Sequence, residues 1–86
     1  MCRVAFRRSA KKALDSFPKP AGDRVAIAIA GLRQQPRPSG CRKIAGSENG
    51  FRIRVGRYRV VYEVRDKELL VLVVRVAVRA GAYRGV

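Results

Sequence analysis

The stretch Phe51-Arg52-Ile53-Arg54-Val55-Gly56-Arg57-Tyr58-Arg59-Val60-Val61-Tyr62 alternates arginines with apolar residues on both sides of Gly56-Arg57. A guanidinium grips phosphate through two parallel N–H···O bonds and stays charged at any physiological pH, so this spacing invites a search for an anion. The pattern predicts two half-buried strands joined by a two-residue turn with Gly in its first central position. In that register Val55 opposes Tyr58, Arg54 opposes Arg59, Ile53 opposes Val60 and Arg52 opposes Val61. Directly opposed residues share a face. Phe51, Ile53, Val55, Tyr58, Val60 and Tyr62 therefore face a core, and Arg52, Arg54 and Arg59 stand together on the other surface. A solvated outer face is the usual fate of alternating charges, but like charges set opposite one another weaken a sheet. Folding gives no reason for the Arg54/Arg59 pair, whereas phosphate does.

The remaining chemistry is narrow. The chain has no His, which removes the usual general base and every His-dependent triad. Glu63 lies near the arginine face by parity and Asp66 and Glu68 fall in a turn, so paired-carboxylate hydrolysis and carboxylate metal sites are poorly supported. No Gly-rich phosphate loop is present. Guanidiniums with tyrosines suit a reaction in which an RNA 2'-hydroxyl attacks the adjacent phosphorus and arginines stabilise the charge developing on the phosphoryl oxygens. No metal or cofactor is needed. Arginine is a poor proton donor or acceptor, so it acts through charge. Tyr83 either titrates beside the cations or stacks on a base.

The elements that must hold this face are readable in order. Arg3-Val4-Ala5-Phe6-Arg7 alternates as a first strand. Ser9 is placed to cap a helix with Ala10, Ala13, Leu14 and Phe17 at helical spacing, which Pro18 ends. Pro20 opens a second helix whose stripe is Val25, Ala28, Ile29 and Leu32, with Ile27 to one side and Ala21, Ala26 and Ala30 for close packing. A loop through Pro36-Arg37-Pro38 leads to a short strand in Cys41–Ala45, then a turn and the hairpin. After Arg65-Asp66-Lys67-Glu68 the run Leu69–Val74 is apolar without alternation, as for an interior strand covered on both faces and lying beside Tyr58–Val64. Arg75 and Arg79 share a parity; an odd number of turn residues puts them on the face of Arg59 and an even number puts them opposite. The whole predicts one α+β domain over residues 1–86, with two N-terminal helices packed on a mostly antiparallel twisted sheet of four to five strands in the order β-α-α-β-β-β.

Composition agrees with a folded, anion-seeking domain. Lys+Arg 20 against Asp+Glu 6 gives a net charge of +14, pointing to nucleic acid, an anionic membrane or an acidic protein, while 48% hydrophobic residues exceed what a disordered basic tail carries. Arginine outnumbers lysine, which biased coding composition also produces. At 86 residues a single core is marginal and every amphipathic segment must be used. The N-terminus lacks the apolar core of a secretory signal and no run is long enough to span a membrane, so a cytoplasmic location is expected. Cys2 and Cys41 lack CxxC spacing and read as ordinary thiols.

Phe51-Arg52-Ile53-Arg54-Val55-Gly56, then Tyr58-Arg59-Val60-Val61-Tyr62-Glu63, then Val74-Arg75-Val76 with Arg79 and Tyr83, resemble the RelE/ParE toxins of type II toxin-antitoxin systems. Leu32 followed by Pro36-Arg37-Pro38, and the Cys41-to-Gly46 segment, also fit, so the resemblance covers almost the whole chain. In the ribosome-dependent RelE branch it implies an mRNA interferase that cleaves the codon in the ribosomal A site, leaving a 2',3'-cyclic or 3'-phosphate and a 5'-hydroxyl. By resemblance Arg52 and Arg54 contact the RNA backbone and help activate the 2'-hydroxyl. Arg59 stabilises the charged phosphoryl group, Arg79 lies near the leaving 5'-oxygen, and Tyr83 stacks on or deprotonates the nucleotide. Arg57 and Arg65 read as solvated turn residues; Arg57, with Arg75 and Arg84, is also a candidate for wider contact with mRNA and ribosomal RNA. Tyr58 and Tyr62 read as core aromatics with wet hydroxyls. The implied partner is an acidic, partly disordered antitoxin, giving a heteromeric complex.

Many relatives carry Gly-His-Arg where this chain has Ala77-Val78-Arg79, and charged residues where it has Ala80-Gly81-Ala82. Both departures imply weaker nuclease activity. The ParE branch keeps the fold and inhibits DNA gyrase instead, which is the alternative activity; a remnant that only binds antitoxin is a third.

Overall fold

In the computed structural model, which describes residues 2–78, the hairpin is the middle of a five-stranded sheet. Strand β1 (Arg3–Phe6) is followed by helices α1 (Arg8–Asp15) and α2 (Lys19–Gly31), then β2 (Arg42–Lys43), β3 (Gly50–Val55), β4 (Tyr58–Arg65) and β5 (Leu70–Val78). The spatial order is β1-β5-β4-β3-β2. β1 runs parallel to β5 and every other pair is antiparallel, so the sheet is mixed and the α+β architecture of the sequence is the one observed.

The β3/β4 hairpin has the predicted register, with Val55 opposite Tyr58, Arg54 opposite Arg59 and Ile53 opposite Val60. Gly56 takes φ +60° and Arg57 does not, as a two-residue turn with glycine first requires. The alternation then delivers Ile53, Val60, Tyr62 and Val64 to the core.

Both helices cover that same side. Ala10 of α1 and Val25 and Ile29 of α2 are buried there, with Leu32 just beyond, against Val71, Val73 and Val76 of β5. Ile27, one position off the stripe, is 71% exposed. Gly22 lies where α2 meets the end of α1, and a Cβ built there would sit in ordinary contact, 3.7 Å from the Leu14 carbonyl and Phe17 Cβ. Ala26 and Ala30 face solvent.

Three local expectations are corrected. Ser9 does not cap α1. The Arg7 amide donates to the Val73 carbonyl at 2.9 Å as the last rung between β1 and β5, and the helix starts at once with Arg7 as N-cap and no side-chain cap. β5 is interior in strand order, but the described helices cover only one of its faces; Val71 and Val73 are buried while Leu70, Leu72 and Val74 are half-buried. Tyr62 is fully buried and its hydroxyl is dry, donating to the Pro36 carbonyl at 2.7 Å. Burial, with smaller effects from the neighbouring Cys41, pushes its phenol well above the usual tyrosine range.

The Pro36–Pro38 loop is fixed through that bond and through Arg37, which pairs with Asp66 at 2.7 Å and lies over the Phe51 ring at 5.3 Å. Hydrogen bonding to Asp66 raises the Arg37 pKa further. The two described cysteines are free thiols, Cys2 buried and Cys41 half-buried. Among the described residues, no helix is long and apolar enough to cross a membrane.

Candidate nucleic-acid interface

Strand register places the basic side chains. Arg42 of β2 opposes Arg52 of β3, Arg52 opposes Val61 of β4, and Val61 opposes Arg75 of β5. These four positions form one row across four strands, on the sheet face away from the helices. With neighbouring strands about 4.8 Å apart, the row spans roughly 14 Å. The next row carries Arg54 opposite Arg59, with Ala77 beyond. Arg52, Arg54, Arg59 and Arg75 thus share one face. Arg57, in the turn, is exposed. Arg79, Tyr83 and Arg84 lie outside the described residues.

Arg75 reaches this face by an irregularity. The connection from Arg65 to Leu70 holds four residues, the 3-10 turn Asp66–Glu68 and Leu69 at φ +50°. An even count would set Arg75 on the helix side. The β4/β5 register shifts at Val61/Tyr62, however, so that Tyr62 opposes Val73 while Val61 opposes Arg75. Val74 is the extra residue, and one inserted residue reverses the parity of everything after it.

Among the described residues, five carboxylates are held in ion pairs with other cations. Asp15 pairs with Lys11, Asp23 with Lys19, Asp66 with Arg37, and Glu63 and Glu68 with Arg65. Glu63 does stand on the arginine face, yet its carboxylate accepts from the Arg65 guanidinium at 2.9 Å, toward the far end of β4. Arg65 is therefore an ion-paired strand end rather than a solvated turn residue. None of these ion pairs includes Arg42, Arg52, Arg54 or Arg75. Undischarged positive charge of this kind on one surface attracts a polyanion and holds its phosphates bidentately.

Sequence reasoning missed Arg42. It borders a cleft of about 230 Å³ with Ser39, Gly40, Arg52, Ile53 and Arg54. Its alternation is invisible in a two-residue strand, and its register is set across the Ile44–Asn49 loop. There the Ile44 amide bonds to the Gly50 carbonyl, and the Ser47 hydroxyl accepts from the Gly50 amide.

On the helix side a second concavity of about 910 Å³ opens between β1, α1 and α2. Phe6, Leu14, Phe17 and Ile29 contribute its apolar lining, and Lys11, Lys19 and Arg33 are among its charged residues.

A sheet covered on one face by two helices is the frame of a family of small toxins. The family model described as ParE toxin of type II toxin-antitoxin system, parDE, matches residues 4–83, and the chain belongs to this family. It is a toxin of RelE/ParE fold from a type II system. Among solved structures, the archaeal RelE–RelB complex from Pyrococcus horikoshii matches with TM-score 0.81 and 29% identity over 91% of this chain and 94% of that one. The RelB–RelE antitoxin–toxin complex from Methanococcus jannaschii matches with TM-score 0.76 and 27% identity over 93% and 95%. The isolated E. coli RelE toxin shares the fold, with TM-score 0.81 and 19% identity over the full length of both chains. The search of curated proteins gave no match.

Proposed function

We propose that this toxin is a metal-independent endoribonuclease that cleaves mRNA in the A site of the ribosome and so stops translation. The observation that carries the reading is the gathering of Arg52, Arg54, Arg59 and Arg75 on one sheet face. The 2'-oxygen of one nucleotide attacks the adjacent phosphorus, the bond to the 5'-oxygen breaks, and a 2',3'-cyclic phosphate and a 5'-hydroxyl result. Negative charge grows on the phosphoryl oxygens during attack. Arg59 and Arg54, opposed across the hairpin, are disposed to meet it from two sides, a contribution of the kind that is worth about 10²–10³ in rate per donor. Arg52 holds the RNA backbone beside them. Proton transfer at the 2'-hydroxyl and at the leaving oxygen falls to other groups, since guanidinium exchanges protons poorly; the resemblance offers Tyr83 and Arg79.

Expressing the chain in a bacterium and mapping mRNA 5' ends tests this. Codon-phased cuts on translating ribosomes are expected, lost on Arg59→Leu. Uncut mRNA on those ribosomes would overturn it. The family match, which is to ParE, favours one further reading, inhibition of DNA gyrase. Purified chain that blocks supercoiling and traps cleaved DNA would establish that activity instead.

The partner in either case is an acidic antitoxin, by analogy with the RelB-bound relatives. The concavity between β1, α1 and α2 is suited to an amphipathic segment of it, with Phe6, Leu14, Phe17 and Ile29 for its apolar face and Arg3, Arg33 and the Lys11–Asp15 and Lys19–Asp23 pairs among the charged lining. A cytoplasmic location follows from a ribosomal target.

A further inference from the structure

We propose that Arg42, with the Ser39–Gly40 loop, forms a second phosphate subsite beside the reacting one, taking a neighbouring phosphodiester of single-stranded RNA. The inference rests on the RNA reading of the arginine face but assigns a residue and a wall that the reading does not require.

Three observations carry it. Arg42 is directly opposed to Arg52, so a second like-charge pair stands next to Arg54/Arg59 in the adjacent row. The Arg42/Arg52 opposition is a cost to folding, and an anion held between the two guanidiniums relieves it. The cleft of about 230 Å³ between Arg42, Arg52, Arg54 and Ser39 is concave and of a size to seat a phosphate group. Its outer wall is held in place: the Tyr62 hydroxyl fastens Pro36, the Arg37–Asp66 ion pair fastens the next residue, and the Cys41 amide closes a turn on the Pro38 carbonyl at 3.0 Å. A loop this tethered presents Ser39 and Gly40 without having to be ordered by the ligand, which is the condition for tight binding at little entropic expense. The row Arg42–Arg52 points along the sheet away from Arg59, so the strand would enter or leave the reacting position over β2.

The test is equilibrium binding of the full chain to a fluorescent single-stranded oligoribonucleotide, by anisotropy at several salt concentrations. Arg42→Gln is expected to weaken binding roughly tenfold at low salt and to make the log–log salt slope shallower by about 0.7, the signature of one lost phosphate contact on a single strand. Lys12→Gln, an equal change in net charge on exposed α1, should leave both values near those of the parent. Arg42→Lys, which keeps charge but loses the fork, should restore the slope and only part of the affinity. Arg42→Gln indistinguishable from Lys12→Gln would overturn the proposal, as would a parent chain that binds no RNA at low salt. Cleavage is scored separately on ribosomes, so a chain that binds RNA through Arg42 but cuts nothing sinks the nuclease reading and leaves the subsite standing.

Discussion

Arg54 on β3 lies directly opposite Arg59 on β4, two cations facing each other on a strand pair that also buries Ile53 against Val60. The hairpin therefore holds a repulsion that its apolar face must overcome. Replacing Arg54 by Gln should stabilise the protein by about 0.2–1 kcal/mol in urea denaturation, because the like-charge pair is gone. The same change should lower codon cleavage on ribosomes by roughly 10²-fold. Stability and activity moving together would contradict this account of the pair.

Arg59→Leu removes the other member. Arg59 is half-buried, so leucine fits the site, and the melting temperature is expected to stay within a few degrees of the parent's. Toxicity on induction should disappear. Growth arrest that persists at equal expression would place the toxic chemistry elsewhere.

Tyr62→Phe deletes the hydroxyl that holds Pro36 and leaves that carbonyl without its partner, a cost of about 1–3 kcal/mol at pH 7. The difference should shrink under alkali. Tyr62 has a folded pKa raised above its unfolded value, so both states keep the proton below pH 10 and the stabilisation is intact there. As pH climbs beyond about 10, the unfolded phenol ionises first and parent stability falls, while the phenylalanine variant is spared that component. Denaturation midpoints of the two proteins should converge as pH rises above about 10; parallel curves would show that the phenol ionises as readily in the folded state.

Deleting Val74 is expected to be tolerated about as well as trimming it. Val74→Ala removes two methyl groups from a half-buried position and should cost about 1–2 kcal/mol. Deletion takes out the inserted residue and lets Arg75 follow Val73 in unbroken pairing, still opposite Val61 and still on the arginine face. Circular dichroism melts of both variants should show a cooperative transition; its loss in the deletion alone would show that the bulge itself is needed for the fold.

The sequence reads best where register is fixed locally. Two turn residues with glycine first leave the β3/β4 pairing no freedom, so the faces of Arg52, Arg54 and Arg59 follow by counting. Arg75 resists counting. Its parity depends on the length of the Asp66–Leu69 connection and on a bulge that no residue type announces, and the two effects cancel. Arg42 lies in a strand too short to alternate, registered by hydrogen bonds across a loop. The Ser9 cap was displaced by the Arg7–Val73 rung, a tertiary contact overriding a local preference. Alternation places Tyr62 inside, but its partner lies 26 residues away in a proline loop, beyond what periodicity can reveal.

The strand order has a bearing on synthesis. β5, the final described strand, sits between β1 and β4 and, among the described strands, is the one whose backbone pairing joins the amino-terminal strand to the hairpin. A nascent polypeptide that stops short of Leu70 can pack its helices on the hairpin but has no strand to carry pairing across to β1, so the arginine row reaching Arg75 is completed only once Leu70–Val78 has been made.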